Sequence, residues 1–152
     1  MEVKIRKAKI SDTKQIHSLI KFYAEKGDML ARPLSLIYEN IRDFWVATEE
    51  GLPIGCCALH VVWGDLAEIK SLAVHESFMR QGIGTKLVQS CLKEAVEMEM
   101  KKVFALTYKP HYFEKLGFEK VLKEILPHKV WSECINCPKF PDCDEVAVLM
   151  NL

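Results

Sequence analysis

Leu66-Ala67-Glu68-Ile69-Lys70-Ser71-Leu72-Ala73-Val74 is followed, four residues later, by Met79-Arg80-Gln81-Gly82-Ile83-Gly84-Thr85-Lys86-Leu87-Val88. The first run has strand composition. The second opens a helix, because Ile83, Leu87, Val88, Cys91, Leu92 and Ala95 fall on one helical face and Lys86, Gln89, Lys93, Glu94 and Glu97 on the other. A strand, a turn and a glycine-bearing helix start make a physical unit. The first turn of a helix holds N–H groups without partners and about half a positive charge, which suits a pyrophosphate. Gly82 and Gly84 let the backbone approach such an anion, and Arg80 adds a charge-assisted donor. The pattern is neither a P-loop, which needs Gly-Lys-Ser/Thr, nor a full G-x-G-x-x-G dinucleotide turn.

Working outward, Phe44–Thr48 and Ile54–Val62 read as strands around the turn Glu49-Glu50-Gly51-Leu52-Pro53, a hairpin that Gly64-Asp65 joins to the Leu66–Val74 strand. Val3 and Ile5 belong to an opening strand. Ser11 and Asp12 offer an N-cap to a helix carrying Ile16, Leu19, Ile20 and Tyr23, which Gly27-Asp28 stops. Ser35 is expected to cap a short second helix. Beyond the long helix, Lys102–Thr107 reads as a strand and Pro110 opens a brief helix ending near Gly117. Phe118–Leu122 and Glu145–Leu149 read as strands. The stretch of about 127–144 is irregular, with three prolines and three cysteines. The expectation is one α+β domain over 1–152, a mixed and mostly antiparallel sheet flanked by helices on both faces.

The chain has 152 residues, 49% apolar and 28% charged, with 21 Lys+Arg against 21 Asp+Glu. That length suits one domain able to bury a core without disulfides or metal. Charge neutrality argues against nucleic acid as a partner. No apolar run approaches the ~18 residues of a membrane span, and the charged start is unlike a signal peptide. Six cysteines in such a chain favour the reducing cytoplasm.

Leu72-Ala73-Val74 with Arg80-Gln81-Gly82-Ile83-Gly84 and Leu87 resembles the acetyl-CoA-binding core of the GNAT N-acetyltransferase superfamily. Tyr112-Phe113-Glu114-Lys115-Leu116-Gly117-Phe118 is similar to that family's late helix-to-strand signature. One departure is Met79, where the family usually has Arg or Gln. The resemblance narrows toward short, stand-alone bacterial N-acetylglutamate synthases through Leu30-Ala31-Arg32-Pro33-Leu34-Ser35, Tyr38–Phe44, Gly55–Leu59, Val103–Thr107, Leu126-Pro127 and Val148-Leu149-Met150. It implies a GNAT fold and acetyl-CoA as co-substrate, with the α-amine of L-glutamate as acceptor at the entry to arginine biosynthesis. The kinase-like domain of longer synthases has no counterpart here, so their arginine regulation is not carried over. A small amine or amino acid is the expected partner, and a homodimer is left open.

Acetyl transfer to an amine needs a base for the ammonium, donors for the thioester oxyanion and an exit for the thiolate. Glu68 is the expected base. Regular strand alternation would set Leu66, Glu68, Lys70, Leu72 and Val74 on one face, with Glu68 upstream of the CoA-binding edge, and the resemblance points to the same Glu. An ordinary Glu68–Lys70 pair on a solvated face is the bland alternative. Backbone N–H groups of Leu72, Ala73 and Val74, splayed from their neighbour, would hold the oxyanion. CoA would further contact Arg80, Gln81, Gly82, Ile83, Gly84, Thr85 and Tyr112. The family's usual acid, a Tyr, is replaced at its position by Phe113. Thr107 resembles the hydroxyl residue of glutamate-acetylating relatives, with Tyr108 and Tyr112 as runners-up. Arg32 matches the family's substrate-binding Arg and suits a carboxylate, ahead of Arg42. Lys70, Lys129, Lys139 and His60 are further candidate acceptor contacts; Lys129 and Lys139 read equally as surface lysines in a loop, and His60 reads first as a satisfied core or rim histidine.

Cys134-Ile135-Asn136-Cys137 with Cys143 gives C-x2-C-x5-C, whose first pair has zinc-knuckle spacing. Asp142, Asp144 or His128 would be needed to complete four ligands. One pair and a third cysteine fit a reduced structural loop better than a metal site, with redox pairing as a further alternative, and catalysis is expected to need no metal. Cys56, Cys57 and Cys91 read as small buried apolar groups. Rival functions are a GNAT enzyme for another amine, amino acid or protein N-terminus, and a non-catalytic CoA-sensing or partner-binding module.

Overall fold

The computed structural model describes residues 2–126 and 145–152. Seven strands form one sheet: β1 (Val3–Lys7), β2 (Phe44–Glu49), β3 (Leu52–Trp63), β4 (Leu66–Val74), β5 (Lys102–Thr107), β6 (Glu119–Val121) and β7 (Val146–Asn151). The order across the sheet is β1-β2-β3-β4-β5-β7-β6. All neighbours are antiparallel except β4 and β5, the two strands joined through the long helix α3 (Ile83–Glu97). A parallel joint needs such a crossover, and α3 is long enough to supply it. The helices α1 (Thr13–Glu25), α2 (Leu34–Glu39) and α4 (Pro110–Lys115) complete the α+β layout.

Both faces of the sheet are covered. On one, Ile83, Leu87, Val88, Cys91 and Ala95 of α3 pack on Cys57, Leu59, Ala67 and Ile69. Each aliphatic side chain buried this completely contributes about 1.5–3 kcal/mol. On the other, Ile16, Leu19 and Ile20 of α1 and Ile37 of α2 pack on Val46, Cys56, Ala58 and Ala73. A separate cluster of Val62, Leu66, Phe104, Leu126 and Ala147 closes the far end.

Two expected helix caps are made differently. Asp12 ends a 3-10 turn (Ile10–Asp12), has helical dihedrals, and caps nothing with its side chain at α1. Its carboxylate instead accepts from Arg6 at 2.7 and 3.0 Å and from the Lys9 N–H at 2.7 Å. Ser35 lies inside α2, whose N-cap is Pro33, a residue with a fixed φ that enters a helix without a donor to satisfy.

β4 departs from regular alternation. Ala58 opposes Lys70 and Cys56 opposes Ala73, so Ser71 and Leu72 together face one residue of β3. Ser71 takes φ +57°, the left-handed conformation that a bulge can demand. The extra residue reverses the alternation. Glu68, Lys70 and Ala73 share the α1 face, whereas Leu72 and Val74 turn to pack with the α3 cluster. The expectation that Glu68, Lys70, Leu72 and Val74 share one face is therefore corrected.

Candidate active site

β4 and β5 are paired only from Leu66–Lys102 to Glu68–Phe104. Beyond that point β5 stays with β7, through Thr107 opposite Val146, and β4 stays with β3. The strands part, and a cavity of about 910 Å³ opens in the fork. Ile69–Val74 form one wall and Ala105–Lys109 the other. α3 meets the cavity with its N-terminus, and the segment from Asp28 to Pro33 crosses the opposite side.

The α3 entry is shaped for an anion. Arg80 has φ +64° and Gly82 φ +76°, left-handed residues at alternate positions of the turn, a feature that anion-binding nests share. No side chain caps α3. Its first internal backbone bond is donated by Lys86 to the Gly82 carbonyl, and the N–H groups of Ile83, Gly84 and Thr85 find no partner among the described residues. A Cβ at Gly84 would lie 3.2 Å from the Tyr112 hydroxyl and 4.0 Å from Leu72 Cδ1. The glycine thus keeps open the corner between α3, α4 and β4. The Tyr112 hydroxyl is 3.1 Å from Thr85 Oγ1. Burial raises the Tyr112 pKa despite the opposing bond to Thr85, so the phenol keeps its proton at neutral pH.

At the base of the fork lies Glu68, 6% exposed and lining the cavity. It stands opposite His60 on β3 and beside Phe104 on β5. Thr107 is on the facing wall, where the Lys109 N–H donates to its Oγ1 at 2.8 Å, leaving the hydroxyl hydrogen for an acceptor in the cavity. Arg32 lines the opposite side, and its buried Nε has no hydrogen-bond partner. An unpartnered buried guanidinium nitrogen costs about 1–3 kcal/mol, which an incoming carboxylate would recover.

Of the residues singled out from the sequence, the cavity gathers Arg32, Glu68, Lys70, Leu72, Ala73, Val74, Arg80, Gly82, Ile83, Gly84, Thr85, Thr107 and Tyr112. Gln81 and His60 are not in its lining. His60 is turned to Asp43, with its Nδ1 2.7 Å from the carboxylate, a partnered histidine beside the site. Lys129, Lys139, Cys134, Cys137 and Cys143 lie outside the described residues. Among the described residues no cluster of His, Cys, Asp or Glu has a metal-binding arrangement.

Tyr23 was legible only as a core residue of α1, yet its hydroxyl donates to the Val74 carbonyl and ties α1 to the end of β4. Burial, then the nearby Glu76 and Asp28 carboxylates, raise its pKa and keep it a donor. Nothing in the helical spacing distinguishes this tyrosine from its apolar neighbours. Asp43, the partner of His60, was equally hidden, since the two lie 17 positions apart in the sequence.

The family model for the acetyltransferase (GNAT) domain matches residues 40–120. The chain is 41% identical over 148 residues to an N-acetyltransferase of Chlorobaculum tepidum, itself uncharacterized, covering 97% of this chain and 96% of that one. It is 37% identical over 132 residues to the amino-acid acetyltransferase of Mycobacterium tuberculosis, covering 85% and 75%. Among solved structures, Rv2747 of Mycobacterium tuberculosis in complex with CoA and a second ligand superposes with a TM-score of 0.84 at 30% identity, covering 98% and 99%. N-acetylglutamate synthase of Neisseria gonorrhoeae, complexed with coenzyme A and N-acetyl-glutamate, shares the fold with a TM-score of 0.88 at 24% identity, over 100% of this chain and 35% of that one.

Proposed function

Because the chain belongs to the GNAT acetyltransferase family, we propose that it is an enzyme transferring acetyl from acetyl-CoA to the α-amine of L-glutamate, the acetylation that opens arginine biosynthesis. The observation that carries the choice of acceptor is Arg32, a guanidinium with a buried, unpartnered nitrogen across the cavity from Glu68. A dicarboxylic amino acid offers that group an acceptor. The names of the relatives support the same class of substrate.

In this reading the CoA diphosphate rests on the open N–H groups of Ile83, Gly84 and Thr85, with Arg80 beside it. The pantetheine takes the place beside β4 that β5 vacates, bonding to backbone that has lost its strand partner. Glu68 takes the proton of the substrate ammonium, and the freed amine attacks the thioester carbonyl. Backbone N–H groups of β4 stabilise the oxyanion. Thr107 passes a proton to the departing thiolate, an undemanding step for a thiol of ordinary pKa ~8.5. Arg32 holds a carboxylate of the acceptor, with Lys70 on the same side of the sheet as the base. No metal enters the chemistry. Three free buried thiols, Cys56, Cys57 and Cys91, support a cytoplasmic setting.

The test is a thiol-release assay with acetyl-CoA against glutamate, glutamine, aspartate and simple amines, run on the native protein and on Glu68→Gln. Glutamate should be the best acceptor. The variant should lose 10²- to 10⁴-fold in kcat, the usual worth of a positioned base, with CoA affinity unchanged. A panel in which glutamate gives no advantage refutes the acceptor. A fully active Glu68→Gln refutes the base.

A further inference from the structure

Converting an ammonium and a thioester into an amide and a neutral thiol releases one proton per turnover. The ammonium loses two protons, and the thiolate takes one of them. The other remains on Glu68, if Glu68 is the base as proposed above, until something removes it. Glu68 is buried, and its outlet through the cavity is filled whenever both substrates are bound.

We infer that His60, held by Asp43, carries this proton from Glu68 to solvent, so that the two form an exit relay behind the active site. His60 is the cross-strand partner of Glu68 on β3, and opposed partners project from the same face with Cβ atoms about 4.5–5.5 Å apart. That spacing allows a direct bond between the two side chains or one bridging water. His60 lies outside the cavity lining, and its side chain is 30% exposed against 6% for Glu68 as a residue. It is therefore the more exposed of the two side chains and lies outside the lining of the cavity.

Asp43 fixes the imidazole in the state the relay needs. It closes the 3-10 turn Ile41–Asp43 that leads into β2 and accepts the Nδ1–H of His60 at 2.7 Å. The neutral ring then presents the lone pair of Nε2. The protonated carboxyl of Glu68 gives its proton to that nitrogen, regenerating the carboxylate. The imidazolium formed is stabilised by Asp43 and releases the Nε2 proton to a water molecule at the partly exposed ring, which restores the Nδ1–H tautomer. No oxidant, metal or further reactant is involved. His60 and Asp43 act through Glu68 and are positioning residues, not catalytic ones.

The experiment is rapid-quench kinetics on the full chain with saturating acetyl-CoA and the best acceptor of the thiol-release panel. In His60→Ala the first turnover should proceed within about twofold of the native rate, because Glu68 begins unprotonated. Later turnovers should slow at least tenfold, giving a burst of one equivalent per site. Added imidazole should restore the steady-state rate in proportion to its concentration, and Asp43→Asn should show a smaller burst. His60→Gln, which keeps the volume and polarity of the ring, provides the same readout should the alanine variant fold poorly. A first turnover slowed as much as the later ones indicates a merely structural histidine and overturns the relay. So does an unchanged steady-state rate, or a failure of imidazole to rescue. These outcomes differ from a failure of the base itself, which Glu68→Gln reports separately: an inactive Glu68→Gln with a native-like His60→Ala removes the relay and leaves the base in place.

Discussion

Gly84→Ala separates the folding role of the α3 entry from its binding role. In the second position of a helix, exchanging Gly for Ala stabilises by about 0.5–1 kcal/mol through the unfolded chain. Against that, the new methyl would stand 3.2 Å from the Tyr112 hydroxyl, 3.9 Å from Val74 Cγ2 and 4.0 Å from Leu72 Cδ1. Only the phenol is close enough to be displaced, and its hydrogen bond to Thr85 is worth about 0.5–1.5 kcal/mol. The two effects nearly cancel, so thermal denaturation should shift by only a few degrees. Binding has no such compensation. The methyl occupies the corner through which an anion reaches the Gly84 and Thr85 N–H groups, and each charge-assisted bond lost costs about 1.5–3 kcal/mol. Titration calorimetry with CoA should give a Kd raised about ten- to hundredfold. A folded Gly84→Ala protein binding CoA within twofold of the native chain would refute the proposed seat of the diphosphate.

Arg32→Met should raise the acceptor KM about ten- to hundredfold in steady-state assays with CoA affinity unchanged, while the melting temperature rises because a buried unpartnered donor is removed. Burial raises the pKa of Asp12, but hydrogen bonds from Arg6 and the Lys9 N–H outweigh it and leave the pKa below the usual value. A depressed folded pKa contributes stability that is present above the unfolded value of about 3.9 and disappears as pH falls through the folded one. Denaturant titrations should therefore show an acid limb below about pH 4 that Asp12→Asn flattens, at a cost of about 1–3 kcal/mol at pH 7. Burial pushes the Cys56 thiol up to about 12, so alkylating reagents at pH 8 should modify it only when the protein is unfolded, as mass spectrometry of the labelled peptide would report.

Much of the architecture was legible because the decisive signals are local. The aromatic and β-branched run of β2 with the turn chemistry after it, and the apolar face of α3, name their elements without help from distant parts of the chain. Pro110 duly stands at the start of α4. The caps were misjudged at Asp12 and Ser35, where residues suited to capping are used otherwise. For Asp12 the competitor is Arg6, reached only once β1 and the turn after it have folded together. The bulge left no trace either, since Ser71, not a glycine, takes the left-handed conformation. The same holds for the site. The α3 entry could be read from consecutive residues, but the pairing of His60 with Asp43 and the bond from Tyr23 to β4 depend on tertiary contacts that no spacing encodes.

The bulge also bears on redesign. Five residues separate Glu68 from Val74, a spacing that in a regular strand would put both on one face; the bulge takes up one of the five and so turns Glu68 toward α1 and Val74 toward α3. Deleting one of the two bulge residues would leave Ala73 and Val74 on the faces they already occupy, whereas flattening the bulge without shortening the chain would exchange the surroundings of everything downstream. Chimaeras that transplant acceptor preference between relatives should therefore carry the count and the bulge across together.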